Sequence, residues 1–192
     1  MEKIRAFIAI ELSDDIKRTL TRLQNKLKSG CQAPVRWTDP EDTHLTLQFL
    51  GDIDPGLTGQ ITAAMAGAAG GIHPFHLSVS GLGVFPDQRR VRIVWVGLTG
   101  DLETLGQLQK RIESALSPLG FTPEARAFTP HLTLGRVRDN ARPDERQILG
   151  RLVIKTTVES DSGLNVNSVH LIKSQLTPQG PIYTRIGSVE LK

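Results

Sequence analysis

One tetrapeptide, His-Leu-Thr-Leu, occurs twice in this chain, at residues 44–47 and 131–134. So short a repeat still constrains the fold, because each residue type has a set place in an extended backbone. Side chains alternate faces along a strand, so His44 and Thr46 point one way while Leu45 and Leu47 point the other. The same alternation sets His131 and Thr133 against Leu132 and Leu134. The leucines anchor each strand in a core, and the imidazole and hydroxyl project together from the opposite face, about 7 Å apart along the strand. Helical sequence flanks both copies. The chain is therefore expected to contain two lobes built on one plan, each presenting a histidine and a threonine.

The rest of the pattern supports a mixed helix and strand fold. Strands are predicted over residues 6–12, 45–51, 75–85, 91–98, 152–157, 166–176 and 183–191, with another through Leu132 and Leu134. Ser13 resembles a helix N-cap, with Asp14 and Asp15 in the first turn, and Ile16, Leu20, Leu23 and Leu27 recur at helical spacing up to Gly30. Further helices are predicted over 55–70, 101–116 and 143–150. At 192 residues, with 39% hydrophobic and 22% charged positions, the chain can bury an adequate core without staples, which excludes a disordered tail, a collagen or a coiled coil. No apolar run reaches the roughly 20 residues that span a bilayer. Residues 1–12 are too few and too charged for a cleaved signal peptide. Cys31 is the one cysteine, so no intrachain disulfide can form. A cytoplasmic protein is expected.

Two strands of this kind facing each other across a cleft would bring together two imidazoles and two hydroxyls. That set suits in-line displacement at phosphorus. One neutral histidine removes a proton from the nucleophile, and one protonated histidine gives a proton to the leaving oxygen. Both can act near neutral pH, since a free imidazole titrates near ~6.5. Thr46 and Thr133 can donate to the non-bridging oxygens, where charge builds. The net charge is +3, and arginines gather at Arg89, Arg90 and Arg92 and again at Arg136, Arg138, Arg142 and Arg146. Such grouping fits either a polyanionic ligand or a solvated basic face. Two Trp, one Tyr and six Phe are too few for an extended base-stacking platform.

The paired motifs resemble the 2H phosphoesterase superfamily, and within it the microbial RNA 2′,3′-cyclic phosphodiesterases, also called 2′-5′ RNA ligases. The likeness extends along most of the chain. FIAIEL at 7–12 is similar to the family's opening strand, and Trp37 followed by HLTLQFLG at 44–51 to its first motif region. Phe85 and VWVGL at 94–98 match the middle strands, FTPHLTLGR at 128–136 the second motif, and Ser174, Leu176, Gly180 and Tyr183 the final pattern. The resemblance implies an α+β, bilobal fold filling residues 1–192 as a single domain. Its two pseudo-twofold-related lobes would have antiparallel sheets lining a central cleft and helices outside. It also implies metal-independent opening of a terminal 2′,3′-cyclic phosphate on RNA to a 2′-phosphate, with no cofactor, and 2′-5′ ligation by the same groups with a ribose 5′-hydroxyl replacing water. His44 and His131 are then the catalytic pair, with His44 assigned the acid and His131 the base, an order that the motif symmetry does not fix. Thr46 and Thr133 would hold the phosphate. A monomer acting on RNA ends or small cyclic nucleotides, away from membranes, is expected.

Similar enzymes use an arginine after the second motif to bind phosphate, and Arg136 stands there. Strict alternation puts it with Leu132 and Leu134, away from the histidines, unless a bulge at Gly135 turns it round; otherwise it is a salt-bridged surface residue. Phe7 alternates with Ile8 and Ile10, so it faces the cleft, where it either stacks on a base or simply packs. Gln48 shares the parity of His44 and reads as solvated. His73 and His76 lack the partners of a metal site and read as strand-edge residues, His170 reads as a surface strand residue, and Cys31 as inert. Alternatives to RNA-end hydrolysis are a 2H phosphodiesterase on 2′-5′ oligonucleotides or small cyclic nucleotides, a non-catalytic RNA-binding module, and, remotely, a metallohydrolase using His73 and His76.

Overall fold

The structure, a computed structural model, describes residues 2–125, 127–158, 162–178 and 180–192. Along the chain run β1 (Ile4–Glu11), α1 (Asp14–Gly30), β2 (Val35–Trp37), β3 (His44–Ile53), α2 (Thr58–Ala69), β4 (Phe75–Phe85), β5 (Ile93–Gly100), α3 (Leu102–Leu116), β6 (His131–Val137), α4 (Pro143–Lys155), β7 (Gly163–Val166), β8 (Ser168–Thr177) and β9 (Gly180–Glu190). They form two antiparallel sheets, ordered β3-β1-β8-β9 and β2-β6-β5-β4-β7. The expected α+β, two-lobed architecture is what the chain adopts.

The helices exchange lobes. α1 follows β1 of the first sheet but packs on β7 and α4 of the second, while α3 follows β5 of the second sheet and packs on β3 and α2 of the first. Ser13 fixes one of these crossings: its hydroxyl caps α1 by accepting from the Ile16 amide and donates to the Gly163 carbonyl on β7. Burying the helices' apolar faces against the partner lobe's sheet merges both halves into one main core. That core includes Ile8 and Leu45 from one sheet and Val96 and Leu132 from the other. A separate small apolar cluster, Phe7, Ala9 and Ile172 with Tyr183 against them, marks the opposite face of the first sheet, the one free of helices.

Three expectations need correction. Residues 152–155 are not a strand but the last turn of α4; Leu149 and Val153, four apart, are both buried against the second lobe, and this packing overrides the β preference of the Leu-Val-Ile run. The predicted strand over 166–176 is two strands in different sheets: β7 ends at Val166, β8 starts at Ser168, and the chain passes between lobes at Asn167. β2, only three residues long, gave no periodic signal, yet it supplies the edge of the second sheet beside β6.

Candidate active site

Both motif strands carry a bulge at the same place. Ile8 pairs with Gln48 and Ala9 with Thr46, so Leu47 is the extra residue of β3; Val94 pairs with Gly135 and Trp95 with Thr133, so Leu134 is the extra residue of β6. A bulge inserts one residue and reverses the alternation beyond it. Hence Leu47 and Gln48 are both buried and Phe49 emerges on the histidine face, 59% exposed. In the second lobe Leu134 and Gly135 are buried and Arg136 emerges beside Thr133. The conflict over Arg136 is thus resolved by backbone geometry: it shares the face of His131. Gln48, expected to be solvated, is instead 1% exposed, with both side-chain polar atoms unpartnered among the described residues.

The bulges are tied to the opposite helices by two glutamines that carry no motif signal. Gln24, buried in α1, donates through Nε2 to the carbonyls of Thr38 (2.6 Å) and Leu134 (3.0 Å), and the Thr38 amide also donates to Leu134. Gln109, buried in α3, makes the longer counterpart, 3.5 Å to the Leu47 carbonyl. Replacing Gln24 with Leu strips the half-buried Thr38 carbonyl of this donor and removes one of the two donors to the buried Leu134 carbonyl. A loss of about 1–3 kcal/mol in unfolding free energy is expected, measurable by urea denaturation against Gln109→Leu, whose weaker bond predicts the smaller loss.

The histidines open the two strands in matching settings. His44 Nδ1 donates to the Asp42 carbonyl at 3.0 Å, and His131 Nδ1 donates to the Thr129 carbonyl at 2.8 Å. A carbonyl can only accept, so the proton of each neutral ring sits on Nδ1 and Nε2 is left free. Each ring also lies edge-on between two aromatics: His44 with Tyr183 (5.0 Å between centroids) and Phe7 (5.8 Å), His131 with Phe85 (5.2 Å) and Trp95 (6.2 Å). These contacts fix where Nε2 points. β3 and β6 are neighbours across the lobe junction, and the charges of Arg136 and Arg36 reach Tyr183 beside His44, so the two histidine strands lie close together. Neither Thr46 nor Thr133 commits its hydroxyl to a partner among the described residues. Phe7 is 6% exposed, with its ring enclosed by His44, Phe49 and Tyr183.

Charge around the pair is asymmetric. Burial pushes His44 below the ordinary imidazole value, opposed by its Asp42 hydrogen bond and by the negative charges of Glu11 and Asp42. Glu11 is itself lowered: burial works upward, but the Arg185 hydrogen bond and the charges of His170, Arg185 and His44 outweigh it. His170, expected on the surface, is 5% exposed; its Nε2 meets the Ser168 hydroxyl at 3.0 Å and its Nδ1 has no partner among the described residues. It lies on the helix-free face because β8 is an inner strand, paired to β1 at Ala9. Tyr183 is raised, first by burial, then by Asp42, while Arg136, Arg5 and Arg36 pull it down. Arg136 of one lobe thus reaches the neighbourhood of Tyr183 in the other. Arg36 lies directly opposite Arg136 in the β2–β6 ladder, and neither makes an ion pair among the described residues. Sequence reading missed Arg36 because its strand was missed.

Two further arginines of the Arg136 group, Arg142 and Arg146, are structural. Arg146 donates to the carbonyls of Val91, Arg138 and Ala141, and Arg142 pairs with Asp144 and Glu145. His76 bonds through Nδ1 to Asn165 and through Nε2 to Ser78. Among the described residues no three His, Cys, Asp or Glu are grouped to hold a metal, and no helix is long and apolar enough to cross a membrane.

Two lobes of one plan, each bringing a His-x-Thr strand to a common cleft, define a 2H phosphoesterase. Residues 10–95 and 96–183 separately match the LigT like phosphoesterase family, one match for each lobe's motif. A Methanothermobacter thermautotrophicus protein named RNA 2′,3′-cyclic phosphodiesterase is 38% identical over 182 residues, covering 95% of this chain and 96% of that one. Its namesake from Aquifex aeolicus is 31% identical, covering 96% and 95%. Among solved structures, a Thermus thermophilus protein superposes with a TM-score of 0.78 at 23% identity, covering 98% of both chains. E. coli LigT complexed with phosphate superposes with a TM-score of 0.76 at 22% identity, covering 100% of this chain and 99% of that one. The chain belongs to the LigT-like phosphoesterase family.

Proposed function

We propose that this chain is an RNA 2′,3′-cyclic phosphodiesterase in which His44 and His131 form the catalytic pair and residues 1–192 work as one unit. The observation that supports the mechanism is the matched pair of Nδ1-to-carbonyl bonds, which leaves Nε2 of both histidines free for proton transfer. Water attacks phosphorus in line with the 3′-oxygen. Nε2 of His131 takes the water proton, the new P–O bond forms as the P–O3′ bond breaks, and Nε2 of His44 protonates the departing 3′-oxygen, leaving a 2′-phosphate. This order suits the Glu11 and Asp42 charges, which favour a protonated His44 once the anionic phosphate offsets its burial. Thr46 and Thr133 donate to the non-bridging oxygens, and Arg136 with Arg36 balances the charge that builds there. Phe7 acts by holding the His44 ring rather than by stacking on a base, and the exposed Phe49 offers a face to the terminal nucleobase. With an RNA 5′-hydroxyl in place of water, the same attack forms a 2′-5′ phosphodiester as the P–O3′ bond breaks, so the same groups ligate. Both halves of the site come from one chain, so a monomer is complete.

The test is a short RNA ending in a 2′,3′-cyclic phosphate, incubated in EDTA, with the product mapped for the hydroxyl that keeps the phosphate. A 2′-phosphate is expected; an unopened end sinks the reading, and 2′-5′ linkages or small cyclic nucleotides become the substrates to try.

The pH profile follows from the pair. kcat/KM falls on the alkaline side as the acid loses its proton and on the acid side as the base gains one, giving a bell. Burial of His44 draws this bell to lower pH than two ordinary imidazoles would give. Glu11→Gln removes a charge that favours protonated His44, so His44 falls further, the optimum moves to still lower pH, and kcat/KM at pH 7 drops. The optimum moves down whichever histidine is the acid, so the rate at pH 7 decides the roles: a kcat/KM there that holds or rises in Glu11→Gln refutes the assignment of His44 as acid.

A further inference from the structure

A large open cavity lies beside the site. It has a volume of about 1040 Å³ and runs along the outer edge of β4, between the 86–92 loop and α4. Its wall nearest the cleft is the Trp95 indole, whose other neighbour is the His131 ring. The indole lies flat on Gly83, where a Cβ would fall 2.1 Å from the ring, so only glycine lets Trp95 close this wall. The far side is equally fixed: α4 packs so tightly on the loop that a Cβ at Gly150 would come 2.3 Å from the Gln88 carbonyl. The groove is built, not left over.

Its polar lining is cationic. Arg90 is neutralised by Asp87, to which its Nε and Nη2 donate at 3.0 and 2.8 Å. Arg89 and Arg151 are exposed, line the same groove and have no ion pair or side-chain hydrogen bond among the described residues. Gln88 and Gln147 add neutral donors and acceptors. From β6, across β5, to β4 is two strand spacings, about 10 Å, the span of one or two nucleotides. Two unpaired guanidiniums beyond that strand, in a groove that the Trp95 indole separates from His131, fit a phosphodiester backbone.

We propose that this groove holds the RNA chain on the 5′ side of the reacting end, with Arg89 and Arg151 on successive backbone phosphates. The proposal rests on the cyclic phosphodiesterase reading and adds a length dependence to it. The edge of β4 beyond Val79, unpaired among the described residues, also suits an added peptide strand, but the two free arginines favour a polyanion.

The test compares adenosine 2′,3′-cyclic phosphate with a tetranucleotide ending in the same group, for wild type and an Arg89→Glu, Arg151→Glu double variant. At low salt the wild type is expected to gain on the order of tenfold in kcat/KM from mononucleotide to tetranucleotide, and the double variant to lose that gain while opening the mononucleotide normally. The log–log salt slope for the tetranucleotide should fall by about 1.4, the value for two single-strand phosphate contacts. Fluorescence anisotropy of a labelled tetranucleotide 3′-phosphate supplies a readout without turnover. If wild type opens neither substrate, the hydrolytic reading fails and anisotropy alone decides the groove. No length gain in the wild type, or equal RNA binding by wild type and the double variant, overturns the groove and leaves the edge to a peptide.

Discussion

His44→Ala and His131→Ala should each lower kcat/KM for a 2′,3′-cyclic phosphate end by at least about 10²-fold, the usual contribution of one positioned acid or base. Each loss should come with little change in thermal midpoint, because both rings stand on the cleft face and their removal opens no cavity in the main core. The double variant should be hardly worse than the poorer single one, since the two proton transfers serve one displacement and losses within such a unit do not add. A modified substrate separates the roles. With sulfur in place of the bridging 3′-oxygen, the leaving group departs without a proton, so activity returns to His44→Ala but not to His131→Ala. Rescue of His131→Ala instead would exchange the assignments. Undiminished turnover by either variant on the natural substrate would remove that histidine from the chemistry.

Much of this site could be read from the sequence, and the reason is parity. His44, Thr46, His131 and Thr133 precede the bulges, so simple alternation places them on the open face, where the structure has them. Past Leu47 and Leu134 alternation fails, and every misplaced residue of these two strands lies there: Gln48 is buried, Phe49 exposed, Arg136 turned to the cleft. A bulge depends on how the neighbouring strand pairs and on donors from elsewhere, here Gln24 and Gln109 from helices of the opposite lobes. No local pattern reports these. The same holds for Arg36, which matters only because β2 adds to the sheet beside Arg136. His170 and Glu11 meet only once β8 pairs with β1. The run at 152–155 misled for the opposite reason: its β-prone residues are local, and the packing that keeps them helical is not.

Substituting the leucines of the same tetrapeptides should have the converse effect. Leu45 and Leu132 are fully buried in the main core, one per lobe. Truncation to Ala removes their transfer free energy and leaves a cavity that the surrounding strands and helices can only partly close, for about 2–5 kcal/mol each. In a chain of this size that lowers the thermal midpoint by roughly 4–20 °C. Well below the new midpoint, turnover should stay close to wild type, because the imidazoles are held from the other face by the Asp42 and Thr129 carbonyls and by flanking rings. Calorimetry paired with activity at low temperature measures both sides. A leucine variant that keeps its midpoint but loses turnover would show that the strand's two faces are not separable. If instead stability falls and chemistry survives, the repeated motif divides by parity: odd-numbered Leu45 and Leu47 and even-numbered Leu132 and Leu134 bind the lobes into one core. The alternate residues then owe their position to that core and their reactivity to the open face.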